Sequence, residues 1–135
     1  MSPRSEKPPE FFVDRSLGKS IVEGLRAAGL TVYSMADVYG EEGGQRLRDE
    51  VWLRDAGKND WVVLTKDDAI RRRPAERDAL TEAEVRVFCL TTAQLRGTEQ
   101  TERFVSNRHR ILRQARKPGP YIYGVYESGL KRLWP

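Results

Sequence analysis

The chain has 135 residues, a formal net charge of +4 and a hydrophobic fraction of 39%, which is enough for one hydrophobic core and too little for two domains. No apolar stretch approaches the roughly 20 residues that a membrane-spanning helix needs, and the polar start MSPRSEKPP lacks the apolar segment of a signal peptide. We therefore expect a soluble, cytoplasmic protein that does not enter membranes, and its positive charge favours an anionic partner.

Short apolar blocks alternate with segments of helical length along the chain. Five blocks are predicted as strands: residues 11–14, 31–35, 61–67, 85–91 and 121–127. Apolar residues at helical spacing predict a helix over 16–28, a short helix in RLRDEVWLRDAG that stops at Gly57, and one longer helix through 104–115. A loop containing YGEEGG separates the second strand from the second helix.

The alternation of strands and helices also predicts the fold class. Strands that are apolar throughout and followed by helices indicate a parallel sheet covered on both faces. We therefore predict an α/β protein, a three-layer α/β/α sandwich with a mostly parallel central sheet of about five strands. It forms a single domain over residues 10–135, after a disordered tail of residues 1–9.

Three aspartates are expected to meet at one edge of this sheet. Asp14 and Asp67 end the first and third predicted strands, and ligands of such sheets bind beyond the carboxyl ends of the strands. Asp49 falls in the first turn of the second helix, on the face whose apolar residues contact the sheet. Each acid alone also fits helix capping or turn chemistry. Together they need raised pKa values or a bound divalent cation, because two carboxylates ~4 Å apart repel by roughly 4 kcal/mol at an effective dielectric constant near 20.

Three stretches that contain these acids resemble a known family. PEFFVDRSLGKSIVEGLRAAG, RDEVWLRDAG and WVVLTKDDAIRRRPAERDAL resemble PIN-like domains, in particular the compact branch allied to VapC-type toxins of toxin–antitoxin pairs. In PIN-like domains, an acid after the first strand, an acid opening a later helix and an acid after the following strand hold Mg²⁺ or Mn²⁺ for RNA hydrolysis. By position, these metal ligands and catalytic residues are Asp14, Asp49 and Asp67, with Glu50 and Asp68 as auxiliary acids.

The resemblance carries further expectations. Larger PIN domains have one more acid on a helix that this chain lacks between Tyr39 and Asp49, and Asp37, Glu41 or Glu42 could substitute for it. A small ribonuclease of this kind implies a cognate antitoxin protein and a homodimer.

Two groups of basic residues are candidates for RNA binding. Lys66, Arg71, Arg72 and Arg73 lie close to Asp67 and are predicted to receive the phosphates of the substrate. The second group lies on the predicted long helix and fits either RNA contact or a solvated helix face. Its predicted RNA-binding members are Arg108, Arg110 and Arg113.

Two other functions fit part of the same pattern. A receiver-like signalling domain also has carboxylates after its first and third strands. It requires a lysine after the fifth strand, however, where this chain has Glu127 and Ser128, and it gives Asp49 no role. A PIN-like module that binds RNA or a protein without cutting it would carry the same acids.

Overall fold

A single mixed sheet forms the centre of the protein in the computed structural model, which describes residues 7–91 and 95–135. Its strands in the described residues are β1 (Glu10–Val13), β2 (Thr31–Tyr33), β3 (Val62–Thr65), β4 (Arg86–Leu90), β5 (Tyr121–Tyr126) and β6 (Gly129–Trp134). They lie in the order β2-β1-β3-β4-β5-β6, with the first five parallel and β6 antiparallel to β5. Parallel strands end on the same side of a sheet, so the residues that follow β1 and β3 meet at one edge. We call this side of the sheet the carboxyl edge.

Helices cover both faces of the sheet. Those of the described residues are α1 (Lys19–Ala27), α2 (Met35–Tyr39), α3 (Glu41–Arg46), α4 (Asp49–Lys58), α5 (Pro74–Glu82), α6 (Gly97–Ser106) and α7 (Arg108–Gln114), together with a 3-10 helix at Asp68–Arg72. The core under one face includes side chains of α1, α6 and α7, and the core under the other includes those of α2, α4 and α5. The predicted three-layer α/β/α fold with a mostly parallel sheet is confirmed.

The strands alternate between two cores, which is why their sequences are apolar throughout. In β1, Phe11 and Val13 join the core beneath α1, and Phe12 joins the opposite core. The ring of Phe12 lies 5.5 Å from that of Trp52 on α4, and Trp52 is fully buried. Burial of such a side chain contributes roughly 3 kcal/mol. The contact holds α4 against the sheet, and the first residue of α4 is Asp49.

The predicted loop after the second strand is wrong, because this segment forms α2 and α3. Ser34 caps α2 reciprocally with Asp37: the Ser34 hydroxyl accepts from the Asp37 N–H (3.1 Å), and the Asp37 carboxylate accepts from the Ser34 N–H (2.9 Å). This capping box stabilises a helix too short to show periodicity. Gly40, with a φ of 79°, allows the chain to turn between α2 and α3.

Three other features of the secondary structure differ from the predictions. The long helix is two helices, because the side chain of Asn107 donates to the carbonyls of Arg103 (2.8 Å) and Tyr126 (2.9 Å) at the break. Helix α4 continues through Gly57, where a Cβ atom would lie only 2.4 Å from the carbonyl oxygen of Ala83; the glycine permits close packing and does not end the helix. Strand β6 was not predicted.

Two sequence predictions can be compared with the structure only over the described residues. The predicted tail of residues 1–9 lies largely outside them and stays a prediction. Among the described helices, none has the length and the hydropathy to cross a membrane.

Candidate metal centre

Asp14 lies directly after β1 and is buried, with 4% of its surface exposed. Its carboxylate accepts hydrogen bonds from the backbone N–H and the hydroxyl of Ser16 and from the hydroxyl of Thr65 (2.9 Å). Burial raises the pKa of Asp14 to about 6; the hydrogen bonds oppose this shift, and the charge of Asp49 adds to it. A cation bound nearby favours the ionised form, so metal binding and protonation of Asp14 compete near pH 6.

Three further carboxylates converge at the carboxyl edge. Asp49 opens α4, Asp67 follows β3, and Glu76 lies in the first turn of α5. One oxygen of each lies within 4.8 Å of one oxygen of the others. We call these three residues the acid cluster. Asp14 is not within this distance set, but its charge couples to that of Asp49.

Neighbouring groups hold two members of the cluster in place. Asp49 Oδ1 accepts from the indole N–H of Trp52 (2.9 Å) and from the guanidinium of Arg15 (2.8 Å). Asp67 caps the 3-10 helix, because its Oδ1 accepts from the N–H of Ala69 (3.2 Å). Their carboxylates are therefore oriented by the packing of α4 and by the turn that follows β3.

Glu76 is the member of the cluster that sequence reasoning missed. It lies two residues after Pro74, which occupies the first turn of α5. Proline at the first helical position followed by an acid in the first turn is a signal for a helix start. That signal places Glu76 at a helix N-terminus, although it does not bring the residue to the strand ends. Burial raises the pKa of Glu76, and the charges of Asp49 and Asp67 add to the shift, while Arg73 opposes it.

The guanidinium of Arg73 lies inside the acid cluster. Its Nη1 atom is 2.9 Å from Asp67 Oδ2, 2.8 Å from Glu76 Oε1 and 3.5 Å from Asp49 Oδ2. These contacts, first the hydrogen bond to Asp67, raise the pKa of Arg73. One positive group therefore touches all three carboxylates, at the position where a metal ion bound by the same oxygens would lie.

The two predicted auxiliary acids lie outside the cluster. Asp68 pairs with Arg72 (3.0 Å) and Arg71 (3.6 Å) on the 3-10 helix. Glu50 lies 3.9 Å from Arg48. Both assignments stay predictions, since neither carboxylate is among those that converge.

The acids considered as a fourth ligand are placed elsewhere in the structure. Asp37 caps α2 and pairs with Arg26 (2.6 Å), and its hydrogen bond from Ser34 lowers its pKa. Glu41 lines a crevice beside Asp14, and Glu42 is exposed. The additional carboxylate next to Asp49 and Asp67 is that of Glu76.

Most of the predicted RNA-binding side chains near the acids already have partners. Arg71 and Arg72 contact Asp68, and Arg73 contacts the acid cluster. Lys66 is exposed beside the turn. On the other side of the sheet, Arg108 donates to the carbonyl of Ala28 at the end of α1 (3.2 Å), whereas Arg110 and Arg113 are exposed.

A crevice of about 480 Å³ adjoins the centre. It lies between the start of α1 and α2, and Asp14 and Arg15 form part of its wall. The remaining wall is partly apolar and includes Leu17, Val22 and Met35. The acids therefore border a concave surface on which a second molecule can lie.

The residues of the centre fit a hard divalent cation. Mg²⁺ and Mn²⁺ take oxygen ligands, and carboxylates are their usual protein partners. Three carboxylates within 4.8 Å repel one another, and a cationic side chain already occupies the space between them. Both observations indicate a site that is stabilised by positive charge.

The region that forms this centre is similar in sequence to known proteins. Residues 9–92 match the family model described as PIN like domain, and this range contains Asp14 and the whole acid cluster. The chain is also 35% identical to the protein named "Putative ribonuclease VapC45" from Mycobacterium tuberculosis (strain ATCC 25618 / H37Rv), over 124 residues that cover 91% of this chain and 90% of the relative. No solved structure gave a significant match. The chain therefore belongs to the PIN-like domain family.

Proposed function

We propose that this protein is a metal-dependent ribonuclease that hydrolyses phosphodiester bonds within RNA, with Mg²⁺ or Mn²⁺ held by Asp14, Asp49, Asp67 and Glu76. The observation that carries the proposal is the convergence of three carboxylates within 4.8 Å at the carboxyl edge. It is supported by the name of the relative from Mycobacterium tuberculosis, which is that of a ribonuclease.

The residues of the centre have different roles in this proposal. When bound, a divalent ion lowers the pKa of a water molecule and offsets charge on the phosphoryl group. Asp49 and Asp67 would hold the ion through carboxylates that are oriented by hydrogen bonds from the indole N–H of Trp52 and from the backbone N–H of Ala69. Asp14 supplies a buried carboxylate that is held by Ser16 and Thr65.

The basic residues around the centre bind the RNA in this proposal. Lys66 is free to contact phosphate, while Arg71, Arg72 and Arg73 exchange their carboxylate partners for phosphate oxygens.

A receiver-like signalling function is disfavoured, because such a domain does not match this family and gives no role to the clustering of Asp49 with Asp67. A PIN-like module without activity remains the competing function.

Cleavage should require added metal. We expect purified protein to cut single-stranded RNA with Mg²⁺ or Mn²⁺ and to lose this activity in excess chelator, because the carboxylates alone provide neither an activated water nor positive charge at the phosphate. Gel electrophoresis of end-labelled RNA measures the effect. Metal-independent cleavage would contradict the metal assignment, and RNA binding without cleavage under any metal would favour the inactive module.

The second part of the proposal is a toxin that acts in the cytoplasm, that forms a homodimer and that a cognate antitoxin restrains. The name of the relative supports the toxin and its antitoxin in this proposal, since VapC denotes this kind of toxin. The crevice beside Asp14 and Arg15 suits a segment of an antitoxin, because its apolar wall adjoins an acidic site that attracts a basic side chain.

Overproduction without a partner should therefore slow bacterial growth, and the Asp67→Asn variant at equal abundance should not. The expected cause is loss of cellular RNA, which total-RNA gels taken after induction would reveal. Normal growth with abundant, folded wild-type protein would contradict the toxin assignment.

A further inference from the structure

A basic groove lies between α7 and the β5–β6 hairpin, away from the acids. Arg110, Arg113 and Lys117 follow one another at a spacing of three and four residues, so they share one side of α7 and of the turn that continues it. Arg132 of β6 lies beside the groove: the central carbon of its guanidinium is 5.7 Å from the ring centroid of Tyr123, which lines the groove, and 5.9 Å from that of the buried Tyr121. The groove encloses about 400 Å³, and residues 128–130 of the hairpin form its far wall.

The four cations of the groove are not neutralised by the protein. Arg110, Arg113, Lys117 and Arg132 are exposed, and within residues 7–91 and 95–135 none of them forms an ion pair with a carboxylate. The metal centre differs in this respect, because each arginine beside it already contacts a carboxylate; these are Arg15, Arg71, Arg72 and Arg73. A phosphate group at the centre must displace those acids, whereas a phosphate in the groove displaces none.

A solvated helix face would explain a single stripe of basic residues. It does not explain why Arg132, from a different element, lies against Tyr123, a residue that lines the same concavity as the stripe of α7. The nearest exposed acid of the hairpin, Glu127, lines a separate depression together with Glu99 and Glu102. Like charges gathered in a concave surface repel one another unless an anion lies between them.

The groove opens toward the edge that carries the acids. Strands β3, β4 and β5 are parallel, so Tyr126 at the end of β5 lies at the carboxyl edge like Thr65 at the end of β3. Arg110 lies at this end of the groove, with its side chain 3.6 Å from the position of a Cβ at Gly129. Two strand spacings, roughly 10 Å, separate β3 from β5 along the sheet, so an extended polymer that crosses the acids can continue over the carboxyl edge into the groove on the other face.

We infer that this basic groove binds the phosphate backbone of single-stranded RNA that flanks the cleavage site, an inference that rests on the proposed ribonuclease function. Single-stranded RNA is favoured because the groove combines cations with the aromatic ring of Tyr123, and cations with aromatic rings are the combination by which single strands are held without sequence preference. The guanidinium of Arg132 and the half-buried ring of Tyr123, 5.7 Å apart, offer a surface to an unpaired base.

The test is RNA binding by the double variant Arg113→Ala/Lys117→Ala in chelator, where no cleavage occurs. Both side chains are exposed and lie on α7 and the turn after it, whereas the acids lie on other elements, so folding should be retained, which circular dichroism would verify. Fluorescence anisotropy with labelled single-stranded RNA of about sixteen nucleotides should show binding weakened by roughly tenfold at low salt, and the logarithmic salt dependence should become shallower by roughly 1.4, or 0.7 for each of two phosphate contacts.

Two controls separate the groove from net charge and from the metal centre. The variant Arg54→Ala/Lys58→Ala removes two positive charges from α4, on the opposite face of the sheet, and should keep the wild-type salt dependence. Asp67→Asn changes the metal centre and not the groove, and in chelator it should bind RNA at least as tightly as wild type, because it removes a negative charge from the path of the RNA.

Each outcome decides the inference. An unchanged salt dependence in the groove variant, an equal change in the control variant, or an effect confined to a double-stranded RNA of the same length would overturn it. If wild-type protein still cleaves RNA in those cases, the ribonuclease function stands and only the groove fails. Wild-type protein that neither binds nor cleaves RNA would count against both.

Discussion

Asp67→Asn is expected to lower the rate of RNA cleavage by about two to three orders of magnitude. The carboxylate lies within 4.8 Å of two others, and its loss weakens the hold on a metal ion that contributes several kcal/mol of charge stabilisation to the transition state. Asn keeps the size of the side chain and an oxygen that can still accept the hydrogen bond from Ala69, so the turn after β3 should survive. Initial rates at saturating Mn²⁺ measure the effect.

Asp68→Asn is the matched control, because Asp68 is adjacent in sequence but pairs with Arg71 and Arg72 outside the acid cluster. It should retain most of the activity. A second matched pair lies on α5: Glu76→Gln should impair cleavage as Asp67→Asn does, whereas Glu82→Gln, at an exposed position that contacts only Arg54, should not. Equal activity of Asp67→Asn and wild type would remove Asp67 from the centre, and equal loss in Asp68→Asn would make that neighbour a working acid.

The sheet and two of its acids are predictable from the sequence because they depend on local patterns. Apolar runs of strand length mark buried parallel strands, and such strands deliver the acids that follow them, Asp14 and Asp67, to one edge. Asp49 is predictable because helical spacing fixes the face on which it lies. These inferences need no knowledge of how distant segments meet.

The remaining features depend on contacts between segments far apart in sequence or on very short elements. Helix α2 has five residues, too few for a periodic pattern, and depends on the capping box of Ser34. Strand β6 mixes apolar and charged residues because it lies at the edge of the sheet. The approach of Glu76 to Asp49 follows from the packing of α5 against α4, which no local pattern encodes.

Arg73 illustrates the same limit in the chemistry of the site. The sequence places three consecutive arginines after Asp67 and predicts that all receive phosphates. In the structure they differ: Arg72 and Arg71 extend to Asp68, while Arg73 turns into the acid cluster. The third arginine therefore acts as a counter-charge for the acid cluster, and it must leave before the same oxygens can hold a metal ion.

Arg73→Gln should consequently bind Mn²⁺ more tightly than wild type and be less stable without it. In wild type, a metal ion must displace a guanidinium that lies 2.8 to 3.5 Å from all three carboxylates, and the cost of that displacement is subtracted from the binding free energy. The side chain of Arg73 is 44% exposed, so screening limits this cost to about 1–2 kcal/mol, or roughly tenfold in affinity.

The two effects of Arg73→Gln have opposite signs, and this separates a counter-charge from an ordinary structural residue. Calorimetric titration with Mn²⁺ should give the tighter affinity, and thermal unfolding in chelator should give the lower midpoint, because three carboxylates then repel without compensation. Arg72→Gln is the matched control: it removes the same charge one residue away, from a pair with Asp68, and should change neither quantity appreciably. If Arg73→Gln instead binds Mn²⁺ as wild type does, the guanidinium and the metal ion occupy different places, and the centre must lie nearer to Asp14 than to the oxygens that Arg73 contacts.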